Sequence, residues 1–277
     1  MDARRPLDGA FALLERTLAA VAPEGALVLL SDGPANTAWY EHRRIATELG
    51  IPLVTLGDLD ASRGRLHALI DGRRRPVDVV YRRTDEDRMT DEHGRLTSVG
   101  AALYEPLRAG TLTCVNGFGT GVADDKLVHA YVEEMIGFYL HEAPLLPSVH
   151  TYDLDSSLTE VLDRLDELVV KPRTGHGGHG VVVGPHADVA DLRKVAQAIR
   201  RDPHDYVAQD TIMLSRHPTV IDGRLEPRHV DLRPFVFLTP DAAAVAPGGL
   251  TRVALERGAL VVNSSQRGGG KDTWVLW

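Results

Sequence analysis

Residues Leu168–Gly184 read Leu-Val-Val-Lys-Pro-Arg-Thr-Gly-His-Gly-Gly-His-Gly-Val-Val-Val-Gly, and the fold turns on this stretch. Two β-branched runs, Val169-Val170 and Val181-Val182-Val183, flank a loop of glycines and histidines. Gly175, Gly177, Gly178 and Gly180 leave the loop little side-chain bulk, so its N–H groups can turn toward an anion. Lys171, at the end of the first run, can supply a point charge to a phosphate. Gly175-x-Gly177-x-x-Gly180 matches the dinucleotide fingerprint in spacing, but that motif needs a helix directly after the glycines. Here Val-Val-Val-Gly-Pro follows, which reads as a strand and a stop. No Gly-Lys-Ser/Thr closes the loop, so the nucleotide P-loop pattern fails as well. A strand, a glycine-rich flap and a returning strand remain. Glycines alone fit an ordinary hairpin with a flexible tip; Lys-Pro at the mouth favours a phosphate flap.

Composition sets bounds around this centre. A chain of 277 residues with 25% charged and 43% hydrophobic side chains matches a globular protein of one large or two medium domains. The formal net charge of -8 argues against a nucleic-acid partner, and no apolar run reaches membrane-spanning length. Met1-Asp-Ala-Arg-Arg opens no signal peptide, and the single cysteine, Cys114, fits a reducing cytoplasm.

Upstream of the hairpin, the pattern alternates between strand and helix. Leu13, Leu14, Leu18 and Val21 mark a helix ending at Pro23; Ala26–Leu30, Pro52–Leu56, Val77–Tyr81 and Leu112–Val115 read as strands. Trp39–Leu49 and Ser98–Arg108 read as helices closed by Gly50 and Gly110. Such alternation predicts a parallel sheet with helices on both faces, whose ligands sit beyond the C-terminal ends of its strands. That places Asn36, Arg82 and Arg83 as candidate substrate contacts, with the arginines able to clamp a carboxylate. Ion pairs with Asp85, Glu86 and Asp87 are the competing use of those arginines.

Gly117–Gly121 forms a joint, which divides the chain into a 1–118 domain and a 119–277 region with a flap subdomain at about 150–215. Asp124 is expected to cap a long helix carrying the stripe Leu127, Val128, Tyr131, Val132, Met135, Ile136, Tyr139 and Leu140. Lys126 then lies in its first turn, against the macrodipole, unless it faces an anion or is balanced by Asp124 and Asp125. Later, Leu158–Leu165 and Leu192–Ile199 read as helices and Tyr206–Gln209 as a strand running into Asp210. Val230–Leu238 alternates, with Asp231 and Arg233 on one face and Pro234 at an edge or bulge. Leu260–Asn263 and Trp274–Trp277 are read as strands, and Gly268–Lys271 as a second glycine-rich turn. His176 and His179 have no third ligand at metal-site spacing, and Ser264 and Ser265 have no base partner, so neither a zinc site nor a hydrolytic triad is expected.

Taken in order, these segments resemble the ATP-grasp superfamily, and most closely its circularly permuted branch of glutathionylspermidine-synthase-like proteins. The motifs are Val122-Ala-Asp-Asp-Lys126, Val169-Val-Lys171-Pro with its flap, Tyr206-Val-Ala-Gln209 and Glu226-Pro-Arg-His-Val-Asp231-Leu-Arg233. Gly248-Gly-Leu-Thr-Arg252 and Val262-Asn-Ser-Ser-Gln-Arg-Gly complete the run. The resemblance implies an α/β substrate domain followed by an α+β nucleotide-binding region. It implies ATP-dependent joining of a small-molecule or peptide carboxylate to an amine through an acyl-phosphate. Lys126, Lys171 and Gly175, Gly177, Gly178 and Gly180 are then ATP-phosphate ligands. Gln209 and Asp210 hold adenine, and Arg233 and Arg252 are catalytic at the transferred phosphate or the substrate.

One expected part has no counterpart. The family's Mg2+ site uses Asp, Glu and Asn, and this sequence contains no Glu-x-Asn. The resemblance therefore implies a ligase module whose metal ligands lie mostly in an upstream segment or partner chain. A non-catalytic nucleotide-binding or scaffold subunit, and more distantly a dinucleotide-dependent enzyme, stay open beside it.

Overall fold

The computed structural model describes residues 4–7, 9–21, 25–86, 88–175, 178–260, 262 and 268–276. The chain divides into two compact units. One comprises Met1–Gly121, Pro234–Gly249 and Trp274–Trp277; the other comprises Val122–Arg233 and Leu250–Thr273.

In the first unit, the helices α1 (Gly9–Val21) and α2 (Trp39–Leu49) alternate with β1 (Leu27–Ser31) and β2 (Leu53–Val54). Gly50 ends α2 at φ 62°, the left-handed conformation that glycine takes without a Cβ penalty. Three strands follow, β3 (Leu59–Ser62), β4 (Arg65–Ile70) and β5 (Arg73–Val77), and then β6 (Val79–Arg83), α3 (Ser98–Arg108) and β7 (Thr113–Val115). Thr97 caps α3, its hydroxyl accepting from the Gly100 N–H at 2.9 Å. The order β2-β1-β6-β7 makes the expected parallel sheet, with Val28 beside Val80 and Val80 beside Cys114. Val28, Leu30 and Val80 pack with Leu66 of β4 and Leu103 of α3 in one core. Burial of each such side chain stabilises the fold by roughly 1.5–3 kcal/mol. Cys114 belongs to this core; it is unbridged, and burial pushes its thiol up to about 11.

The second unit is built on β8 (Thr151–Asp153), α5 (Leu154–Asp163), β9 (Leu168–Pro172), β10 (Val182–Val183), α6 (Val189–Arg201) and β11 (Tyr206–Asp210). Asp153 and Asp188 cap α5 and α6 by accepting from the N–H groups of Asp155 and Asp191. The strand order β10-β9-β11-β8 is antiparallel throughout, and its register sorts the side chains. Tyr152, Leu168, Val170 and Ala208 lie on one face and pack with Leu154, Val161, Val195 and Ile199 of the two helices. Thr151, Val169, Lys171 and Gln209 alternate with them and so occupy the opposite face. A further sheet runs β12 (Arg216–Ile221), β13 (Arg224–Thr239), β14 (Ala242–Ala254) and β15 (Gly268–Asp272), with Pro234–Gly249 of β13 and β14 counted in the first unit.

Several expectations are corrected. The segment after Asp124 is not one helix. It is a 3-10 turn at Val128–Tyr131, a short α4 (Val132–Met135) and a π turn at Ile136–Leu140. Asp124 ends a preceding 3-10 turn, Thr120–Asp124, so it caps nothing, and Lys126 lies before any helix. The reason is energetic: Tyr131, Tyr139 and Leu140 are exposed and the rest of the stripe is only half-buried, so packing gives little to hold a regular helix. Gly268–Lys271 is not a turn but most of β15, paired with β14 from Gly268↔Ala254 to Asp272↔Leu250. A Cβ on Gly269 would stand 3.2 Å from Val253 Cγ1, so the glycine permits the close approach. Of Trp274–Trp277, only Leu276 pairs, in an isolated bridge with Arg4, and Trp277 lies outside the described residues. Leu260 and Val262 are not in a strand, and the other two residues of that stretch lie outside the described residues, as do His176, Gly177, Asp87, Ser264 and Ser265. The β3-β4-β5 meander was not expected at all.

Candidate functional site

The polar face of the β10-β9-β11-β8 sheet lines a cleft of about 440 Å³ within the second unit. Val169, Lys171, Val183 and Gln209 come from its strands, and Lys126, Gly175, Gly178 and His179 close over them. Asp210, Thr211 and Ile212 line the end of β11, beside Leu214, Leu260 and Val262. A cleft lined by apolar side chains and two neighbouring lysines suits a ligand with an apolar part and an anionic part.

Lys171 is half-buried and donates to the Gln209 amide oxygen. Burial, and after it the charge of Lys126, hold its proton affinity below the ordinary lysine range. Two cations kept together in one cleft are a standing electrostatic cost that an anion relieves. Lys126 Nζ donates to the backbone carbonyls of Arg173, at 3.1 Å, and Gly175, at 3.0 Å. Beside it Asp125 accepts from Arg173 Nε at 3.0 Å, and the Arg173 guanidinium holds that carboxyl below the usual range. Neither Asp125–Arg173 nor the Thr151 and His129 groups behind Gln209 were anticipated from the sequence, because each acts through a contact far along the chain.

The loop geometry explains its glycines. Gly175, Gly178 and Gly180 sit at φ 95°, 77° and 70°. A Cβ on Gly180 would also lie 2.9 Å from Pro172 Cγ. Gly180 itself does not line the cleft, and Gly177 lies outside the described residues.

The remaining candidates are elsewhere. Arg233 is paired with Asp231 at 3.0 Å, and neither it nor Arg252 lines the cleft. In the first unit, Asn36 is buried and fully used. Its amide donates to Asp32 and Asp85, each at 3.0 Å, and its oxygen accepts from the Ala38 N–H. Arg82 donates to the Glu86 carbonyl at 2.9 Å, stacks 4.4 Å over Phe118 and has a buried Nε with no hydrogen-bond partner among the described residues. Arg83 lies 5.9 Å from the Tyr81 ring centre. Asp85 therefore serves Asn36 rather than either arginine.

The described residues fit a polyphosphate but not its metal. The lysines and left-handed glycines match an anion, whereas no group of three or more His, Cys, Asp or Glu converges among the described residues. Glu226 and Asp231 are held in ion pairs by Arg228 and Arg233. No helix among the described residues is long and apolar enough to cross a membrane.

Known proteins resemble this chain over most of its length. An uncharacterised protein of Mycobacterium tuberculosis is 47% identical over 254 residues, 90% of this chain and 46% of that one. One from Synechocystis is 45% identical over 280 residues, 98% of this chain and 58% of that one. A Frankia alni protein provisionally named glutamate–cysteine ligase 2-3 is 45% identical over 272 residues, 95% of this chain but 32% of its own length. The chain thus spans about half the length, or less, of most of these relatives. Among solved structures, a glutathione synthetase-like effector of Globodera pallida superposes with a TM-score of 0.59 at 12% identity, covering 90% of this chain and 59% of that one. That likeness is one of fold, and with the family match it establishes an ATP-grasp-like α/β fold. The model of circularly permuted ATP-grasp type 2 proteins matches residues 2–254, and the chain belongs to that family.

Proposed function

We propose that this chain is the nucleotide-holding module of an ATP-dependent carboxylate–amine ligase that works through an acyl-phosphate. The observation that carries this reading is the convergence of Lys126 and Lys171 on one cleft beneath a glycine-rich loop. ATP supplies the phosphoryl group that activates a carboxylate. Lys171, Lys126 and the loop N–H groups bind the phosphates and offset the charge that builds during transfer. The apolar walls around Asp210 and Ile212 receive the adenine ring. The family resemblance assigns Arg233 and Arg252 to the transferred group, although neither lines the cleft here, and in the first unit Arg82 and Arg83 are the candidate carboxylate contacts beside Asn36, which holds the surrounding loop. The Mg2+ ligands come from a segment or partner polypeptide beyond these residues, in the cytoplasm.

One observation favours a second reading, a non-catalytic nucleotide-binding or scaffold subunit: no acidic cluster forms among the described residues. Calorimetry of ATP binding with and without Mg2+ tests the shared part, and Lys171→Ala should weaken binding at least tenfold. Mixing the chain with a polypeptide that carries the Asp…Glu-x-Asn pattern tests the difference. ADP release from the mixture, dependent on added carboxylate and amine, supports the ligase. ATP binding without turnover across a full substrate panel supports the second reading.

A further inference from the structure

Behind the two lysines runs a chain of polar contacts whose inner members, Thr151 and His129, the nucleotide reading does not use. Lys171 donates to the Gln209 oxygen, and Gln209 Nε2 donates to Thr151 Oγ1 at 2.8 Å. Thr151 donates its single hydroxyl hydrogen to the Val149 carbonyl at 3.1 Å, which leaves its oxygen as an acceptor. His129 Nδ1 lies 3.1 Å from the same oxygen, and with the hydroxyl hydrogen on Val149 it is assigned as the protonated ring nitrogen. Gln209 and Thr151 are both at least nine-tenths buried, and they face each other across adjacent strands in direct register.

An amide can present either end to a neighbour, and the two ends have opposite consequences for an ammonium group. With its NH2 toward Lys171, Gln209 would set donor against donor in a half-buried cleft. Thr151 and His129 remove that freedom. We propose that Thr151 and His129 are positioning residues that orient Gln209, so that its carbonyl oxygen holds the Lys171 ammonium in the anion cleft. The inference rests on the nucleotide reading for its purpose but not for its geometry.

The other charged or titratable groups around Lys171 are Lys126, His179 and Asp210 in the cleft, and Asp153 on the same sheet face. None replaces the Gln209 oxygen, which is the acceptor that Lys171 uses.

The test is the titration of Lys171 in the full chain, followed by NMR of its 13Cε resonance without nucleotide and assigned by loss in Lys171→Arg. Gln209→Leu should lower the midpoint by about one pH unit, the worth of a hydrogen bond to a charged group. Thr151→Val and His129→Phe should lower it in the same direction, by roughly half as much, while Thr151→Ser keeps the wild-type midpoint. Binding of a fluorescent ATP analogue should weaken in parallel at alkaline pH. An unchanged Lys171 midpoint in both folded Thr151→Val and folded His129→Phe overturns the proposal. Should Thr151→Val fail to fold, His129→Phe and Thr151→Ser decide it. If the wild type binds no nucleotide while the midpoints move as stated, the positioning stands and the nucleotide reading fails.

Discussion

Lys126 Nζ lies 3.0 Å from the carbonyl oxygen of Gly175, so a cation aimed at the cleft is already tied to the loop that covers it. A ligand phosphate must share or replace that bond. Lys126→Met should therefore do two things. It should weaken ATP binding by about 1.5–3 kcal/mol, and hydrogen exchange of the Thr174, Gly175 and 178–181 amides should quicken before any nucleotide is added. Weaker binding with unchanged exchange would separate the phosphate contact from the loop contact.

Gly180 and Gly175 give a matched pair. Both lie in the left-handed region, but only at Gly180 would a Cβ meet another residue, Pro172 Cγ at 2.9 Å. Gly175→Ala should cost about 1 kcal/mol of stability from backbone strain alone, and Gly180→Ala about 1 kcal/mol more. Urea unfolding midpoints of the two variants check the order.

Gly184 has a different reason for its identity. A Cβ there would lie 2.0 Å from the Leu165 carbonyl oxygen and 2.6 Å from that of Leu168, both backbone atoms that cannot step aside. Gly184→Ala should cost about 3 kcal/mol or more and lower the thermal midpoint of the second unit's transition.

The Asp125–Arg173 pair sets a pH dependence. Arg173 keeps the Asp125 carboxyl below its ordinary range, so the stabilisation is present above the unfolded carboxyl's pKa. It is lost as pH falls through the lower folded value. Arg173→Gln should cost about 1 kcal/mol at pH 7 and nearly nothing once Asp125 is protonated in the folded as well as the unfolded chain. Melting curves at neutral and strongly acid pH read the difference.

Where the sequence was legible, a local rule and the tertiary outcome agreed. The hairpin of β9 and β10 was visible because β-branched runs flank its glycines, and Val182 pairs Val170 as that pattern requires. Trp39–Leu49 and Ser98–Arg108 formed with the expected bounds because periodicity and stop signals coincide there. The β3-β4-β5 meander was missed although Asp71 and Gly72, at φ 51° and 73°, make the left-handed turn that Asp-Gly favours. The arginines of β5 hid it, since an edge strand with little buried face shows no alternation. The helix after Asp124 failed the other way: its stripe was periodic, yet nothing in the sequence says whether a stripe will be covered. Of the site, the lysines and glycines were readable as residue types. The Gln209–Thr151–His129 contacts were not, because strand register, which no local pattern reports, brings Gln209 and Thr151 together.

The division of the chain into units has a consequence for synthesis. The first unit takes residues from Met1–Gly121, then Pro234–Gly249, then Trp274–Trp277, whereas the second is interrupted once. A ribosome therefore delivers the second unit's final strand, β15, before the first unit has all its pieces. Within these residues, the unit built on the parallel sheet receives its final segment only after the other unit has all of its own.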